Sequence, residues 1–533
     1  MLRVLNVRTA VPMHGSLEQL AAKKLKCRKE AIVQVRVIRR SIDARHKPDI
    51  YFVFTLLVQV HDEQLVLRHC RGNKDVIPVV ENKAVRVQTG SSDLECRPIV
   101  VGTGPAGLLA ALTLARSGYR PLVLERGYDI EQRALHVEEF WNGGAFRPDS
   151  NVQFGEGGAG TFSDGKLTTR VNHPMMSQII DVFVEAGAPD EIRYAYNPHI
   201  GTDILRRVVK RIRHMIEEAG GEVRFNSCVT DIVTDAAGCI HSVTVNGNES
   251  VPASVVILGI GHSARDTYYM LHDKGIRMEA KPFSVGVRIE HPQDLIDWAQ
   301  YGHSASELGL DAADYALVYH RSDGRAAYSF CMCPGGQVVA AASEAGGVVT
   351  NGMSLHDRGS GIANSALVVN VTTADVGGGP LDGIAFQRKY ERLAYMAGGS
   401  DYRAPAQSVG DFLGRPGAKR DGAVYSYRPG ITWTDLHGVL PEFVSATLEQ
   451  ALPYFGRRIR GFDGDDIVMT GVETRTSAPV RILRGIDRVA VDTGGLYPVG
   501  EGAGYAGGIM SAALDGMESA IQIIEKYKPM EGK

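Results

Sequence analysis

The sequence predicts an α/β protein in three parts: a parallel βαβ unit, a strand-rich α+β domain inserted into it, and a small α+β module ahead of both. Three observations carry that prediction. Residues 98–101 form a short apolar strand that runs through a glycine-rich turn into an Ala- and Leu-rich helix over 105–117. Residues 280–470 alternate strand-like runs with long loops. Residues 1–90 carry a strand–helix–strand–strand order of their own. A chain of 533 residues has room for about two to three domains. The expected division is 1–92, then 93–279 together with 471–533, then 280–470, with 130–220 a further insertion in the second part.

In the first part, residues 2–7, 31–38 and 50–60 have strand composition, and Leu17–Leu25 has helical spacing behind Ser16 as its cap. This order fits a ferredoxin-like unit. Between Met1 and Pro48, twelve Lys or Arg stand against Glu18, Glu30 and Asp43. No aromatic residues interleave with these charges, so they read as a solvated, docking face and not as a nucleic-acid arm.

In the second part, the strand at 121–124 ends on Glu125 and completes the first βαβ turn. Residues 130–220 read as helices and loops. The runs 223–234, 240–245 and 255–258 read as an antiparallel meander returning to a parallel strand. A strand at 489–495, a glycine loop and a helix within 507–527 close the chain.

The composition excludes several classes. Hydrophobic residues at 44% and charged residues at 22% are those of a folded globular protein, which leaves the 61 glycines as the outlier. They cluster in loops such as 155–160 and 500–508 without a period, which favours backbone brought close to a ligand over low complexity. A net charge of −3 gives no global attraction to nucleic acid or anionic membrane. Apolar runs such as 255–260 fall far short of the ~20 residues that a bilayer requires. The first fifteen residues carry Arg3 and Arg8 and lack the apolar run of a signal peptide. Seven scattered cysteines read as reduced thiols of a cytoplasmic protein.

The strongest motif is Gly102-Thr103-Gly104-Pro105-Ala106-Gly107, in the strand–turn–helix context that dinucleotide binding requires. Gly102 makes the tight turn, Gly104 lets a pyrophosphate approach the backbone, and Gly107 packs helix on sheet. Pro105 and Ala106 open the helix, whose unpaired N–H groups and dipole favour an anion. Glu125, with Arg126 beside it, is placed to accept hydrogen bonds from ribose hydroxyls, and its charge disfavours the 2′-phosphate of NADP.

The far end of the chain separates FAD from NAD. Leu496-Tyr497-Pro498-Val499-Gly500-Glu501-Gly502-Ala503-Gly504, followed by Gly507-Gly508-Ile509, resembles the C-terminal flavin signature of glutathione-reductase-like FAD proteins. That resemblance gives Glu501, next to Gly502, the ribityl chain. It gives the backbone of Gly508, Ile509 and Met510 the flavin pyrimidine ring, where the helix start stabilises negative charge. Val229, within Ser227-Cys228-Val229-Thr230, sits where such proteins pass a strand beside the adenine, and Gly259 and Gly261 match the turn that closes over the adenosine. The alternative for Gly259-Ile260-Gly261-His262-Ser263-Ala264 is a second site, for NAD(P)H. Between these lies the loop 153–167. Its glycines argue for a backbone nest at the cofactor, with Gly157, Gly158 and Thr161 or Ser163 near the pyrophosphate and Lys166 facing an anionic flavin or substrate. The alternative is a flexible surface loop.

Further stretches extend the likeness over nearly the whole chain: Arg40-Ser41-Ile42-Asp43-Ala44-Arg45, Phe330-Cys331-Met332-Cys333-Pro334-Gly335-Gly336, Val349-Thr350-Asn351-Gly352-Met353-Ser354, and the run from Gly471 to Arg481. Together they resemble a family of bacterial FAD-dependent dehydrogenases that carry an N-terminal extension. The resemblance implies a Rossmann-like FAD-binding domain of three-layer ββα form, and FAD as cofactor. It supplies no substrate.

Four residues are candidates for chemistry. Cys331 and Cys333, two apart in a strand, share a face and read as a redox dithiol, a soft-metal pair or two buried small hydrophobes. No Cys or His cluster completes a metal site. Arg475 precedes the C-terminal strand, where related flavoproteins cover the ring, and is placed to hold an anionic substrate; Thr476 and Ser477 would reach the ring edge. The alternative is a surface ion-pair network of Glu473 with Arg475 or Arg481. Lys166 is the fourth, and His262 and His199 receive no role. The function expected is a two-electron FAD oxidoreductase acting on a small molecule, with NAD(P)H one candidate among the electron donors that the sequence leaves open. A flavin monooxygenase and a flavin-containing RNA-modifying or RNA-binding protein are the alternatives.

Overall fold

The computed structural model describes residues 1–79, 87–415 and 423–530. Residues 80–86 of the expected N-terminal module lie outside that set. At the centre is a five-stranded parallel sheet in the order Leu496–Pro498, Val256–Leu258, Ile99–Val101, Leu122–Leu124, Glu222–Arg224. Its inner strands are continuous Val, Ile and Leu because both faces are covered. Alternation sorts them: Val100, Val123 and Ile257 pack with the helices, whereas Ile99, Val101, Leu122, Leu124 and Leu258 pack with a three-stranded meander. The meander is Val229–Thr234, Ile240–Val245 and Glu249–Pro252, so the layers are meander, parallel sheet, helices, the ββα order expected.

Two helices of the third layer touch closely. A Cβ at Gly516, in the helix Ile509–Lys526, would stand 2.0 Å from the Ala106 carbonyl oxygen in the helix Pro105–Arg116. Both helix N-termini therefore open toward the same edge of the sheet.

Two strand expectations need correction. The run 223–234 is not one strand: Glu222–Arg224 belongs to the parallel sheet, the chain turns at Asn226 in the left-handed region (φ 52°), and Val229–Thr234 starts the meander. The run 489–495 is a turn, because Arg488 and Asp492 also take left-handed φ (65° and 64°); the parallel strand is Leu496–Pro498.

The inserted domain is a seven-stranded mixed sheet in the order Val318–His320, Ala326–Cys333, Ile362–Val371, Phe283–Pro292, Val468–Glu473, Ala404–Ser408, Ile431–Trp433. Val468–Glu473, which the expected division at 470/471 cuts, is paired on both edges within this sheet. The chain enters and leaves the domain through a two-stranded antiparallel ribbon, Met278–Ala280 with Val480–Ile482.

The N-terminal module has its own core of Leu2, Val4, Ala21, Leu25, Phe54, Leu56 and Val58. Its helix Leu17–Leu25 starts at the expected cap, with Ser16 and Gln19 bonded reciprocally. The strands Leu2–Ala10, Ile32–His46 and Asp49–Val60 are joined by a second helix, Glu63–His69, and an edge strand, Val76–Pro78, neither of which was expected. The sheet is antiparallel throughout, and Leu2–Ala10 lies between Asp49–Val60 and Val76–Pro78.

Candidate functional site

One cavity of about 430 Å³ runs along the C-terminal edge of the parallel sheet, roofed by the inserted domain. This is where open α/β sheets bind ligands. Three chain turns form one end. Gly102 takes φ 91°, and a Cβ there would lie 2.4 Å from the Gly259 carbonyl oxygen, so the first turn fits against the turn after Val256–Leu258 only as glycine. Gly104 has open space where its Cβ would point, into the cavity. Pro105 and Ala106 line the wall above, while Gly107 sits behind, its own Cβ position 1.9 Å from the Gly102 carbonyl oxygen.

Glu125 also lines the cavity, and it is only 4% exposed. One carboxylate oxygen accepts from the Thr103 amide at 2.9 Å and its hydroxyl at 2.6 Å; the other accepts from the amides of Gly127 at 2.9 Å and Gly155 at 3.1 Å. The residue expected to meet the ribose is thus also the clasp joining the first turn to the glycine loop. Arg126 lies over Phe154 and is fixed by Asp266 at 2.7 Å, with Cys228 and Val229 beside it in the lining.

The loop 150–167 is locked, which rules out the flexible-loop alternative. Arg133, fully buried in the helix Ile130–Trp141, donates to the carbonyls of Asn151, Val152, Gly155, Glu156 and Gly158 at 2.6–3.2 Å. Burial pushes its guanidinium down to about 9. Glu156 completes the lock, accepting from the Ile130 amide and from Arg213, both at 2.8 Å. Gly158 reaches the cavity; Gly157 and Thr161 lie beneath, where the Thr161 hydroxyl points to the Glu156 carbonyl at 3.5 Å.

The other end of the cavity is built from side chains. Glu501 lines it, and burial pushes its carboxyl up to about 7, Lys281 pulling it down and Cys331 adding to the rise. Gly508 and Ile509 present the start of the last helix, with Gly502 packed behind on Gly261 and Met510 turned into the core. That helix is held in place by Asp515, whose carboxylate accepts from the Gly500 amide at 2.7 Å and from Arg484 and Arg488. Lys166 lines the wall, donates to the Met332 carbonyl and stands 3.9 Å from Asp164. Cys331 faces in and Cys333 is buried behind it. His262 lines the same end, pushed down to about 3 by burial and then by Arg475 and Arg265, which keeps the imidazole neutral.

Arg475, expected at an anionic substrate, and Thr476 and Ser477, expected at the ring edge, are otherwise engaged. Arg475 borders the cavity, but its guanidinium is bonded to Glu391 at 3.0 and 3.1 Å and to Ser343. Arg265 grips the same carboxylate with two bonds of 2.8 Å, so the pair is a buried clamp between domains. The network is neither on the surface nor formed with Glu473, which pairs with Arg288 at 2.9 and 3.0 Å; Arg481 pairs with Glu279. The Thr476 hydroxyl bonds the backbone of Ser284, and Ser477 lies outside the cavity beside Lys281 at 3.5 Å. The turn Gly259–Ala264 opens onto the same cavity as the first turn, from the neighbouring strand, which favours the closing turn over a second dinucleotide site.

Arg133, Lys281, Arg288 and Asp515 were not legible as site residues: Arg133 and Arg288 act from a helix and a strand remote in sequence, Lys281 from the link after Met278–Ala280, and Asp515 from inside the last helix. His262 did carry a signal, its place directly after Gly261. The donor set fits FAD: an open glycine turn and helix start for the pyrophosphate, a carboxylate at each end, and a second helix start beside the buried Glu501.

Comparison with known proteins agrees with this geometry. Residues 282–476 match the model of the FAD-dependent protein, C-terminal domain-like family, and 100–144 match the NAD(P)-binding Rossmann-like domain. Residues 1–59 match a domain of unknown function. A protein of Clostridium beijerinckii (strain ATCC 51743 / NCIMB 8052), described as an uncharacterized protein, is 48% identical over 514 residues, 96% of each chain. Among solved structures, CtdE in complex with FAD is 14% identical with a TM-score of 0.33, covering 81% of this chain and 83% of that one. A geranylgeranyl bacteriochlorophyll reductase-like protein from Thermoplasma acidophilum is 14% identical with a TM-score of 0.34, covering 81% and 78%. Likeness at these scores says nothing of activity.

Proposed function

The chain belongs to the family of the clostridial protein, a family of FAD-dependent proteins, and on that premise we propose that it is an oxidoreductase exchanging two electrons with a small molecule in the cavity. FAD, when bound, supplies the two-electron chemistry. The single observation supporting the reading is the crowding of Glu501, His262, Lys166 and Cys331 at one end of the cavity, three of them displaced from their ordinary titration range. Titratable groups so displaced, in a cleft, mark reaction sites.

The residues divide the work. The first helix start and the glycine loop hold the pyrophosphate, leaving the far end free for a reacting partner. The start of the helix at Ile509 favours negative charge beside it. The half-protonated Glu501 can take up or release a proton near pH 7, with Lys281 beside it to offset the charge, whereas His262 is held neutral and offers only a hydrogen bond. Arg475 works indirectly, by clamping the roof. A reduced nicotinamide is the electron donor proposed.

The test is anaerobic mixing of the purified holoprotein with NADH or NADPH, followed by screening of small molecules for flavin reoxidation without oxygen. Bleaching by one donor and reoxidation by a defined acceptor are expected. Hydroxylation of a substrate only when oxygen is present would replace the proposal with a monooxygenase.

A further inference from the structure

Cys331 and Cys333 end the strand Ala326–Cys333 at a point where its pairing with Ile362–Val371 slips by one residue, between Phe330 and Cys333. Cys331 there takes φ 44°, a left-handed conformation uncommon outside glycine. Two cations fasten the kink from either side. Arg288, fully buried and gripped by Glu473, donates to the Cys331 carbonyl at 2.9 Å, and Lys166 donates to the carbonyl of Met332. The kink aims Cys331 into the cavity, on the wall that also carries Glu501 and Ile509. Cys333 stays buried behind it, its thiol donating to the Cys331 carbonyl oxygen at 3.3 Å.

The two thiols are thereby made unequal. The neighbouring Cys333 thiol, then the charges of Arg288 and Lys166, hold Cys331 below the ordinary thiol range, whereas Cys333 is held well above it. Cys228, also on the cavity wall but at the nucleotide end, is pushed up by burial. Two thiols serving only as small apolar filler account for neither the kink nor its two cations. Among the described residues, no group of three His, Cys, Asp or Glu is placed to hold a metal.

We propose that Cys331 and Cys333 are a redox dithiol that relays electrons between the flavin and a low-molecular-weight disulfide. The Cys331 thiolate attacks one sulfur of the substrate disulfide, forming a mixed disulfide and releasing one substrate thiolate, which takes a proton. Cys333 then loses its proton and attacks the Cys331 sulfur, forming the internal disulfide and releasing the second substrate thiol. Two electrons and two protons from reduced FAD restore both thiols, and the reduced nicotinamide named above resupplies the flavin. Cys333 lies two residues from Cys331, and its sulfur stands 3.3 Å from the Cys331 carbonyl oxygen, so the kink keeps the two side chains together. A small substrate suits Cys331 because it lines the cavity wall. The relay rests on the oxidoreductase reading above.

The test treats the full-length holoprotein anaerobically with the aromatic disulfide dithiobis(nitrobenzoic acid) and maps the peptide carrying both cysteines. The parent is expected to end with an internal disulfide and no adduct, and Cys333→Ser with a stable adduct on Cys331. A pair left unmodified in the parent while other cysteines react, or a persistent adduct on parental Cys331, overturns the relay. In a second measurement, needing only the milder Cys331→Ser, the disulfide form of the parent should consume twice as many reducing equivalents per flavin as the variant. Equal consumption overturns electron transfer between the pair and the flavin. If the flavin accepts electrons from nicotinamide but the pair is inert, only the relay fails. If no flavin is reduced by any donor, the oxidoreductase reading fails, and the peptide map still decides whether the thiols act as a pair.

Discussion

The two ends of the cavity are built on opposite principles. The nucleotide end is mostly backbone: a glycine turn, a helix start and a loop whose carbonyls are tied down by one buried arginine. Its charged side chains, Glu125 and Arg126, are already bonded within the protein. The far end is mostly side chain, and its groups are held away from their ordinary protonation states by burial and by one another. One end is a rigid socket whose interactions are satisfied beforehand. The other keeps its electrostatic tension for whatever arrives.

The largest effect expected is at the socket. Arg133→Ala takes a donor from five carbonyls; those of Gly155, Glu156 and Gly158 keep another, so at about 1–3 kcal/mol for each of the two left unsatisfied, Asn151 and Val152, the loss should be about 2–6 kcal/mol. Chemical denaturation of the apoprotein should show it, with no FAD retained; a variant that keeps FAD and its midpoint would dissolve the contrast between rigid and tense ends.

Glu501→Gln probes the tense end. The folded carboxyl titrates near 7 against 4.5 when unperturbed, so the folded apoprotein holds a proton that the unfolded chain has lost across that window. Stability present below about pH 4.5 should therefore drain away as the pH rises to about 7, by about 3 kcal/mol. Gln should abolish that decline in denaturation midpoints measured across the window. A parallel decline in both proteins would mean that Glu501 is not the source.

Gly104→Leu should separate folding from binding. The backbone there (φ −68°) suits any residue, and nothing stands within 4 Å of the added Cβ, so the apoprotein midpoint should barely move. FAD affinity should fall about 100-fold or more, the equivalent of about 2.8 kcal/mol, if the pyrophosphate uses that space. Unchanged affinity would place the cofactor elsewhere.

Glu125→Ala should lower FAD affinity by about 10- to 150-fold, since charge-assisted bonds are worth about 1.5–3 kcal/mol. Because the carboxylate also accepts four internal bonds, the apoprotein midpoint should drop as well. Loss of affinity alone would show that the clasp is dispensable. The smallest effect is expected from removing the N-terminal module. A chain starting at Val87 keeps the backbone bonds of Gly90 and Ser92 to the final helix and should stay soluble and yellow. Aggregation without flavin would show that the module completes the core.

What the sequence discloses follows the same divide. The socket is legible because its parts are consecutive: Gly102 to Gly107 is a single string, and Glu125 ends the next strand. The strands Ile99–Val101, Leu122–Leu124 and Val256–Leu258 and the cap at Ser16 follow from local signals for the same reason, whereas Glu222–Arg224, Leu496–Pro498 and the meander strand Glu249–Pro252 did not. The tense end is assembled from residues 166, 262, 281, 331 and 501, which come from separate elements of two domains, and no spacing rule joins them. Arg475 misled because its place in the chain is right while its partner, Glu391, lies on a distant helix. The turn at 489–495 misled because alternating Val and Ala imitate a strand, and two left-handed residues cannot be seen in composition.

The ribbon Met278–Ala280 with Val480–Ile482 has a consequence for ancestry and engineering. Its two strands lie about 4.8 Å apart. To the cofactor scaffold, the long excursion between them is therefore topologically a single loop with neighbouring ends. Its length scarcely alters the entropy of joining those ends, since that cost grows only logarithmically. A different cassette of any size, spliced at the same ribbon, would meet the same socket and bring its own chemistry to the open end.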